Sequence, residues 1–62
     1  MTSKQEYELN EARSCVKRAV KVIDTLLEDK DISPDDFDSD LSDAINNCHN
    51  AVEYLSRASI RY

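Results

Sequence analysis

The sequence predicts an all-α protein, an antiparallel hairpin of two helices, on three observations. Its 62 residues include no glycine and a single proline. Apolar residues recur at spacings of three and four on both sides of one break, which is the period of a helix face. The break, at about 30–33, has the length that joins antiparallel neighbouring helices.

The first helix is expected from about residue 4 to about residue 29. Ser3, followed three residues later by Glu6, fits a capping box, in which each side chain accepts a hydrogen bond from the other residue's backbone N–H. The apolar face that we expect this helix to bury consists of Leu9, Ala12, Cys15, Val16, Ala19, Val20, Ile23, Leu26 and Leu27.

The second helix is expected from about residue 34 to about residue 59. Ser33 is a favoured N-cap residue, Pro34 suits the first helical position, and two aspartates follow at the positive end of the helix dipole. Because proline disfavours α conformation in the preceding residue, one unbroken helix is not expected. The apolar face consists of Phe37, Leu41, Ala44, Ile45, Cys48, Ala51, Val52 and Leu55, with Ala58 and Tyr62 extending it.

A turn centred between residues 31 and 32 makes the numbers of facing residues sum to about 63. The facing pairs are then Ala12 with Ala51, Cys15 with Cys48, Ala19 with Ala44, and Leu26 with Phe37. Two paired helices leave one side of each apolar stripe in water, and so small a core rarely stabilises a chain alone. We therefore predict that the single domain, residues 1–62, forms a homodimer as a four-helix bundle. Parallel and antiparallel association of the hairpins are both open.

Composition excludes several classes of function. A chain without glycine cannot build a phosphate-binding P-loop or a dinucleotide-binding turn. No apolar run approaches the ~20 residues of a membrane span, and the first residues show no secretory apolar stretch. We therefore expect a cytoplasmic protein that binds neither a membrane nor a small-molecule substrate.

The two cysteines and the histidine are the strongest candidates for site chemistry. Cys15 and Cys48 fall on the apolar faces, where a free cysteine acts as a small apolar residue; a disulfide between them is the alternative. Neighbouring helical residues point about 100° apart, so Cys48 and His49 cannot converge on a metal or form a nucleophile–base pair. We expect the protein to have no catalytic activity and to bind no metal and no cofactor.

The charged residues suggest two binding surfaces. Six aspartates lie between residues 31 and 43, and Asp36, Asp40 and Asp43 share a helix face, where they would bind a basic protein or imitate a nucleic-acid backbone. The alternative is a solvated face, favoured in part by the helix dipole.

The basic surface lies on the first helix. Lys17, Arg18 and Lys21 would contact phosphates in an RNA, although the net charge of −5 opposes non-specific binding to DNA. A further candidate for a partner-binding end is formed near the C-terminus by the interface-favoured residues Tyr54, Arg57, Arg61 and Tyr62.

Two resemblances bear on function. Lys4-Gln5-Glu6, Leu9-Asn10 and Ala12-Arg13 resemble the N-terminal stretch of the plasmid repressor-of-primer family. That resemblance covers about ten residues. It implies a hairpin that dimerises into a four-helix bundle and binds paired RNA loops, with Asn10 as an RNA contact. Ser14 stands where that family has a stacking aromatic residue.

The whole chain also resembles the small acidic helical proteins encoded in the early exo–xis region of lambdoid bacteriophages, in its length and in its opening from Met1 to Arg18. This resemblance implies a cytoplasmic protein, made early in infection, that influences the host cell cycle or the choice between lysis and lysogeny. Our leading hypothesis is therefore a non-enzymatic regulatory protein that binds a host protein. The alternatives are a dimeric RNA-binding hairpin and an acidic inhibitor that imitates nucleic acid.

Overall fold

A computed structural model describes residues 1–59 of the chain, which form two helices, α1 (Ser3–Glu28) and α2 (Pro34–Ser59). The helices pack antiparallel along their length, so the predicted all-α hairpin is confirmed. The hairpin is a flat rod with principal dimensions of 49 × 15 × 10 Å. Helix α1 begins and ends one residue earlier than predicted, and α2 begins at the predicted residue and is described to Ser59.

The capping box of α1 lies one residue before the predicted one. Thr2, not Ser3, is the N-cap: its Oγ1 accepts from the backbone N–H of Gln5 at 3.1 Å, and Oε1 of Gln5 accepts from the N–H of Thr2 at 2.8 Å. The same sequence pattern occurs in both frames, because Thr and Gln satisfy it as Ser and Glu do. The Thr2 frame adds a contact to α2, since Nε2 of Gln5 also donates to the carbonyl oxygen of Ala58 at 3.2 Å.

The turn is closed by side-chain oxygens at both helix ends. Oδ1 of Asp29, the residue that caps α1, accepts from the N–H of Asp31 at 3.1 Å. At the start of α2, Oγ of Ser33 accepts from the N–H of Asp36 at 3.2 Å, which is the predicted N-cap bond. The Ser33 bond satisfies one of the N–H groups that the start of α2 leaves without a helical partner, and the Asp29 bond satisfies an N–H group of the turn.

The contact between the helices is a narrow seam of small residues, which we call the seam. Its buried members are Glu8, Ala12, Cys15, Ala19, Ala44 and Ala51. Its half-buried members are Gln5, Val22, Leu26, Asp40, Asn47, Tyr54 and Ala58. Spacings of three and four alternate along each helix, as in paired helices that pack side chain into groove. Because most central members are alanine or cysteine, the two backbones can approach closely.

The structure corrects the predicted pairing of Cys15 with Cys48. Ala12 and Ala51 do pack together, in a cluster with Cys15, but Cys48 is exposed and both cysteines are free. Asn47 occupies the seam instead, where its Oδ1 accepts from Nε of Arg18 at 3.2 Å. Consecutive helical residues differ by about 100° in direction, so placing Asn47 in the seam turns Cys48 out of it. Tyr62, the predicted end of the apolar face, lies outside the described residues.

Enlarging a seam residue should push the helices apart. We expect Ala51→Leu to lower the free energy of unfolding by about 1–3 kcal/mol, because a closely packed contact cannot absorb three more carbon atoms. Urea and thermal unfolding at one fixed protein concentration measure this. The exposed Asn46→Leu on the same helix is the matched control and should change stability by less than about 0.5 kcal/mol. Equal stability of the two variants would contradict a tight seam.

Candidate interaction surfaces

Ten of the large apolar residues outside the seam form what we call the apolar face. All were predicted to be buried in a core or dimer interface, and in the single hairpin each leaves more than a third of its surface in water. Their exposed fractions range from 38% for Leu41 to 67% for Leu27. The members are Leu9, Val16, Val20, Ile23, Leu27, Phe37, Leu41, Ile45, Val52 and Leu55.

The apolar residues of the two helices lie on the same side of the hairpin. On each helix the stripe is displaced from the seam in the same rotational sense, and in an antiparallel pair such stripes fall on one side. Two open grooves confirm the arrangement. Ile23 of α1 lines one groove with Ile45 and Val52 of α2, and Leu9 lines the other with Leu55. The face is therefore continuous along the rod.

The predicted basic residues of α1 lie close to polar groups of α2. Arg18 donates to Asn47 across the seam, and its Nη2 approaches Sγ of Cys15 at 3.4 Å. Lys21 lines a shallow pocket together with Asp40 of α2, whereas Lys17 is exposed. The acidic and basic surfaces predicted from the sequence thus adjoin each other near the middle of the hairpin.

Negative charge is concentrated at one end of the rod, residues 22–45, which we call the acidic turn end. This segment contains nine carboxylates and one lysine, so its net charge is −8. The predicted residues Asp36 and Asp43 are exposed and Asp40 is half-buried. Within residues 1–59 none of the nine carboxylates lies within ion-pair distance of a basic group. The nine are Asp24, Glu28, Asp29, Asp31, Asp35, Asp36, Asp38, Asp40 and Asp43.

A band of four cations follows the acidic turn end along α1. Arg13, Lys17, Arg18 and Lys21, which we call the basic band, lie within nine residues that contain no carboxylate. The middle of α1 falls inside this band. Charge along the rod therefore changes from strongly negative at the turn to positive near mid-length.

The residues predicted at the C-terminal end are placed partly against the seam. Tyr54 packs against the Ala12, Cys15 and Ala51 cluster, and the guanidinium of Arg57 lies over the Tyr54 ring, 5.2 Å from its centre. Arg57 also approaches Glu53 at 3.9 Å, a pair exposed enough to contribute little. Arg61 and Tyr62 lie outside the described residues.

The phenol of Tyr7 interacts electrostatically with this group, although no sequence pattern singles Tyr7 out. The pKa of its phenol is raised above the ordinary value of 10.0, first by the negative charge of Glu11 and next by Tyr54. Tyr7 is more than half exposed. Its proximity to Tyr54 depends on the register of the two helices, which composition does not reveal.

Glu8 is the second residue that the sequence analysis missed. Only 5% of its surface is exposed, and its Oε2 is buried without a hydrogen-bond partner among residues 1–59. A charged residue is rarely buried without a partner. The signal was present in the spacing, because residues 8, 12, 15 and 19 repeat at intervals of four, three and four, as the seam does.

The described part of the chain brings no metal-binding group together. Among residues 1–59 no three His, Cys, Asp or Glu side chains converge as metal ligands would. His49 is exposed at the edge of the groove that contains Ile45. Neither α1 nor α2 offers an apolar stretch of the length needed to cross a bilayer.

Comparison with known proteins assigns the chain to no family. No family description, curated protein or solved structure matches it. Both resemblances drawn from the sequence therefore stay predictions. Three surfaces of the hairpin are candidates for binding: the apolar face, the acidic turn end and the basic band.

Replacing Glu8 by an apolar residue of similar length should stabilise the protein. We expect Glu8→Met to raise the free energy of unfolding by about 1–3 kcal/mol, because a buried polar atom without a partner carries a cost of this size. Urea unfolding measures the change, with the exposed Glu6→Met as the matched control. A loss of stability in Glu8→Met would show that the Glu8 carboxyl has a partner in solution.

Removing the charge of Glu11 should lower the pKa of Tyr7. The carboxylate disfavours the phenolate, so Glu11→Gln should shift the titration of Tyr7 to lower pH. Absorbance titration measures it, with Tyr7→Phe identifying the signal and exposed Glu6→Gln as the control. Because the folded state holds this proton more tightly, its contribution to stability is complete below pH 10.0 and is lost as pH rises through the raised pKa. An unchanged titration in Glu11→Gln would contradict the assigned cause.

Proposed function

We propose that this chain is a non-enzymatic regulatory protein that acts by binding a basic protein through its acidic turn end. In the setting implied by the resemblance to early phage proteins, the partner belongs to the infected bacterium, and binding influences the host cell cycle or the choice between lysis and lysogeny. A partner surface rich in Lys and Arg is typical of proteins that bind nucleic acid. Imitation of a nucleic-acid backbone is therefore one form of the same proposal.

One observation carries the proposal: the acidic turn end has a net charge of −8 on 24 residues, and none of its carboxylates forms an ion pair within residues 1–59. The helix dipole accounts for Asp35 and Asp36, which lie in the first turn of α2. Asp29 has a structural bond to the backbone of the turn. The other carboxylates repel one another and so reduce folding stability. Charge that is kept at the expense of stability is typical of a binding surface.

The position of the charge suits long-range attraction of a basic partner. The carboxylates occupy the tip of a rod 49 Å long, and eight of the nine are exposed. A concentrated charge of one sign accelerates association with an oppositely charged surface, and the acceleration falls as salt is added. Binding through this end should therefore be fast at low salt and weak at high salt.

The basic band supports RNA binding less well. Arg18 already donates to Asn47, and Lys21 lies beside Asp40. An RNA that approached these cations would also approach the acidic turn end, whose negative charge is larger than the positive charge of the whole band. A protein partner is therefore the better supported of the two, and RNA is an outcome that the experiment distinguishes.

The test is capture of a partner from bacterial lysate, followed by measurement of its affinity. We expect the triple variant Asp36→Asn, Asp40→Asn, Asp43→Asn to bind the captured basic protein about tenfold more weakly, since the three charges, two exposed and one half-buried, contribute about 0.5 kcal/mol each. The free energy of unfolding should change by less than about 1 kcal/mol. The variant loses the favourable interaction of Asp36 with the helix dipole, but repulsion among the carboxylates is also reduced.

The matched control is the triple variant Lys17→Ala, Arg18→Ala, Lys21→Ala, which should bind the same protein at least as tightly as the unaltered chain. Lysates with and without nuclease treatment separate the two classes of partner. Capture that nuclease abolishes, together with loss of binding in the lysine and arginine variant, would replace the proposal with RNA binding. Equal affinity of the aspartate variant and the unaltered chain would remove the acidic turn end as the site.

A further inference from the structure

The single hairpin leaves more surface in water than a compact protein of its size does. Its accessible surface is 4962 Å², whereas a folded monomer of this mass typically exposes about 4,100 Å². The difference is close to the roughly 800 Å² that one partner contributes to a stable protein–protein interface. We place such an interface on the apolar face, because contiguous apolar patches beyond about 600 Å² are rare on monomers.

We propose that a second copy of this chain covers the apolar face, and that the two hairpins lie antiparallel, so that the turn of each lies beside the chain termini of the other. A twofold axis in the plane of the interface pairs the same face of both copies. The face suits such pairing, since it is continuous along the rod and its members are aliphatic apart from Phe37. The result is a four-helix bundle in which α1 packs on α1 and α2 on α2.

Charge decides between the two arrangements that would bury the same face. In a parallel dimer the two acidic turn ends, each with a net charge of −8, would lie about one interhelical distance apart, roughly 10 Å. That separation is about one Debye length at 0.1 M salt, so the repulsion would be only partly screened. In the antiparallel dimer the turn ends lie at opposite ends of a rod 49 Å long, where salt screens them almost completely.

The other charges do not reverse this preference. The basic band includes the midpoint of α1 and therefore stays near the twofold axis in both arrangements. Among the first twelve residues three carboxylates oppose one lysine, so the end that would lie beside a partner's turn carries far less negative charge than another turn end would.

This inference concerns the apolar side of the hairpin and does not rest on the proposed function, which uses the acidic turn end. The two are compatible, because an antiparallel bundle displays one acidic turn end at each extremity. Each proposal can fail without the other: a monomer that binds a basic protein would overturn only the dimer.

The oligomeric state is tested by sedimentation equilibrium of the full chain at micromolar concentration. We expect a mass of twice 7.1 kDa. We also expect Ile45→Glu to weaken association at least about 100-fold, because each dimer would bury two carboxylates without partners. The neighbouring exposed residue provides the matched control, Asn46→Glu, which should leave the dimer intact. A folded monomer from the unaltered chain, or equal association of the two variants, would overturn the proposal.

The arrangement of the copies is tested on the dimer itself, so the result does not depend on a variant that could unfold. A spin label is attached at Lys30→Cys, in the turn, on a chain that also carries Cys15→Ala and Cys48→Ser and still sediments as a dimer. The antiparallel arrangement predicts a label separation near the rod length of 49 Å, and the parallel arrangement predicts about 10–25 Å. A label at Asn46→Cys, near mid-length, should give a short distance in both. A short distance at the turn would overturn the antiparallel arrangement.

Discussion

The close contact of α1 and α2 across a seam of alanine and cysteine is the constraint on which the rest of the structure depends. Small side chains let the helices pair along their whole length, but they bury little apolar area. Among the large apolar side chains, only a few, such as Leu26 and Tyr54, are half-buried in the seam, and most of the others stay exposed. These lie beside the seam, and the antiparallel geometry collects those of both helices on one side of the hairpin.

The polar members of the seam fix how the helices are aligned. Gln5 bonds to Ala58 and Arg18 bonds to Asn47, so the helices are tied at two levels that lie 13 residues apart on α1. A shift of one helix by a turn would break both bonds and bring larger side chains between the backbones. The Gln5 bond is partly buried and the Arg18 bond is exposed, so neither costs much desolvation, whereas the buried oxygen of Glu8 without a partner does reduce stability.

The fold followed from the sequence because its signals are local. Ser33 and Pro34 mark the start of α2, and both predicted ends of α1 lie within one residue of those in the structure. The division of the apolar residues between seam and apolar face did not follow, because hydrophobicity alone favours Leu55 over Tyr54 and Cys48 over Asn47. Contacts between the helices decide instead: Tyr54 packs against Ala12, Cys15 and Ala51, and Asn47 accepts a hydrogen bond from Arg18. Both contacts depend on how the two helices are aligned. For the same reason the sequence did not predict the burial of Glu8 or the proximity of Tyr7 to Tyr54.

The seam also relates folding to the two proposed interactions. A hairpin whose buried core consists of four alanines, one cysteine and one glutamate within the described residues has little apolar burial to offset the loss of chain entropy. If a second copy supplies the missing burial, folding and dimerisation become one equilibrium, and anything that binds the dimer stabilises both copies. A basic partner at one acidic turn end would then relieve repulsion locally and stabilise the whole bundle. The charge that weakens the isolated hairpin would thereby make its stability respond to the partner.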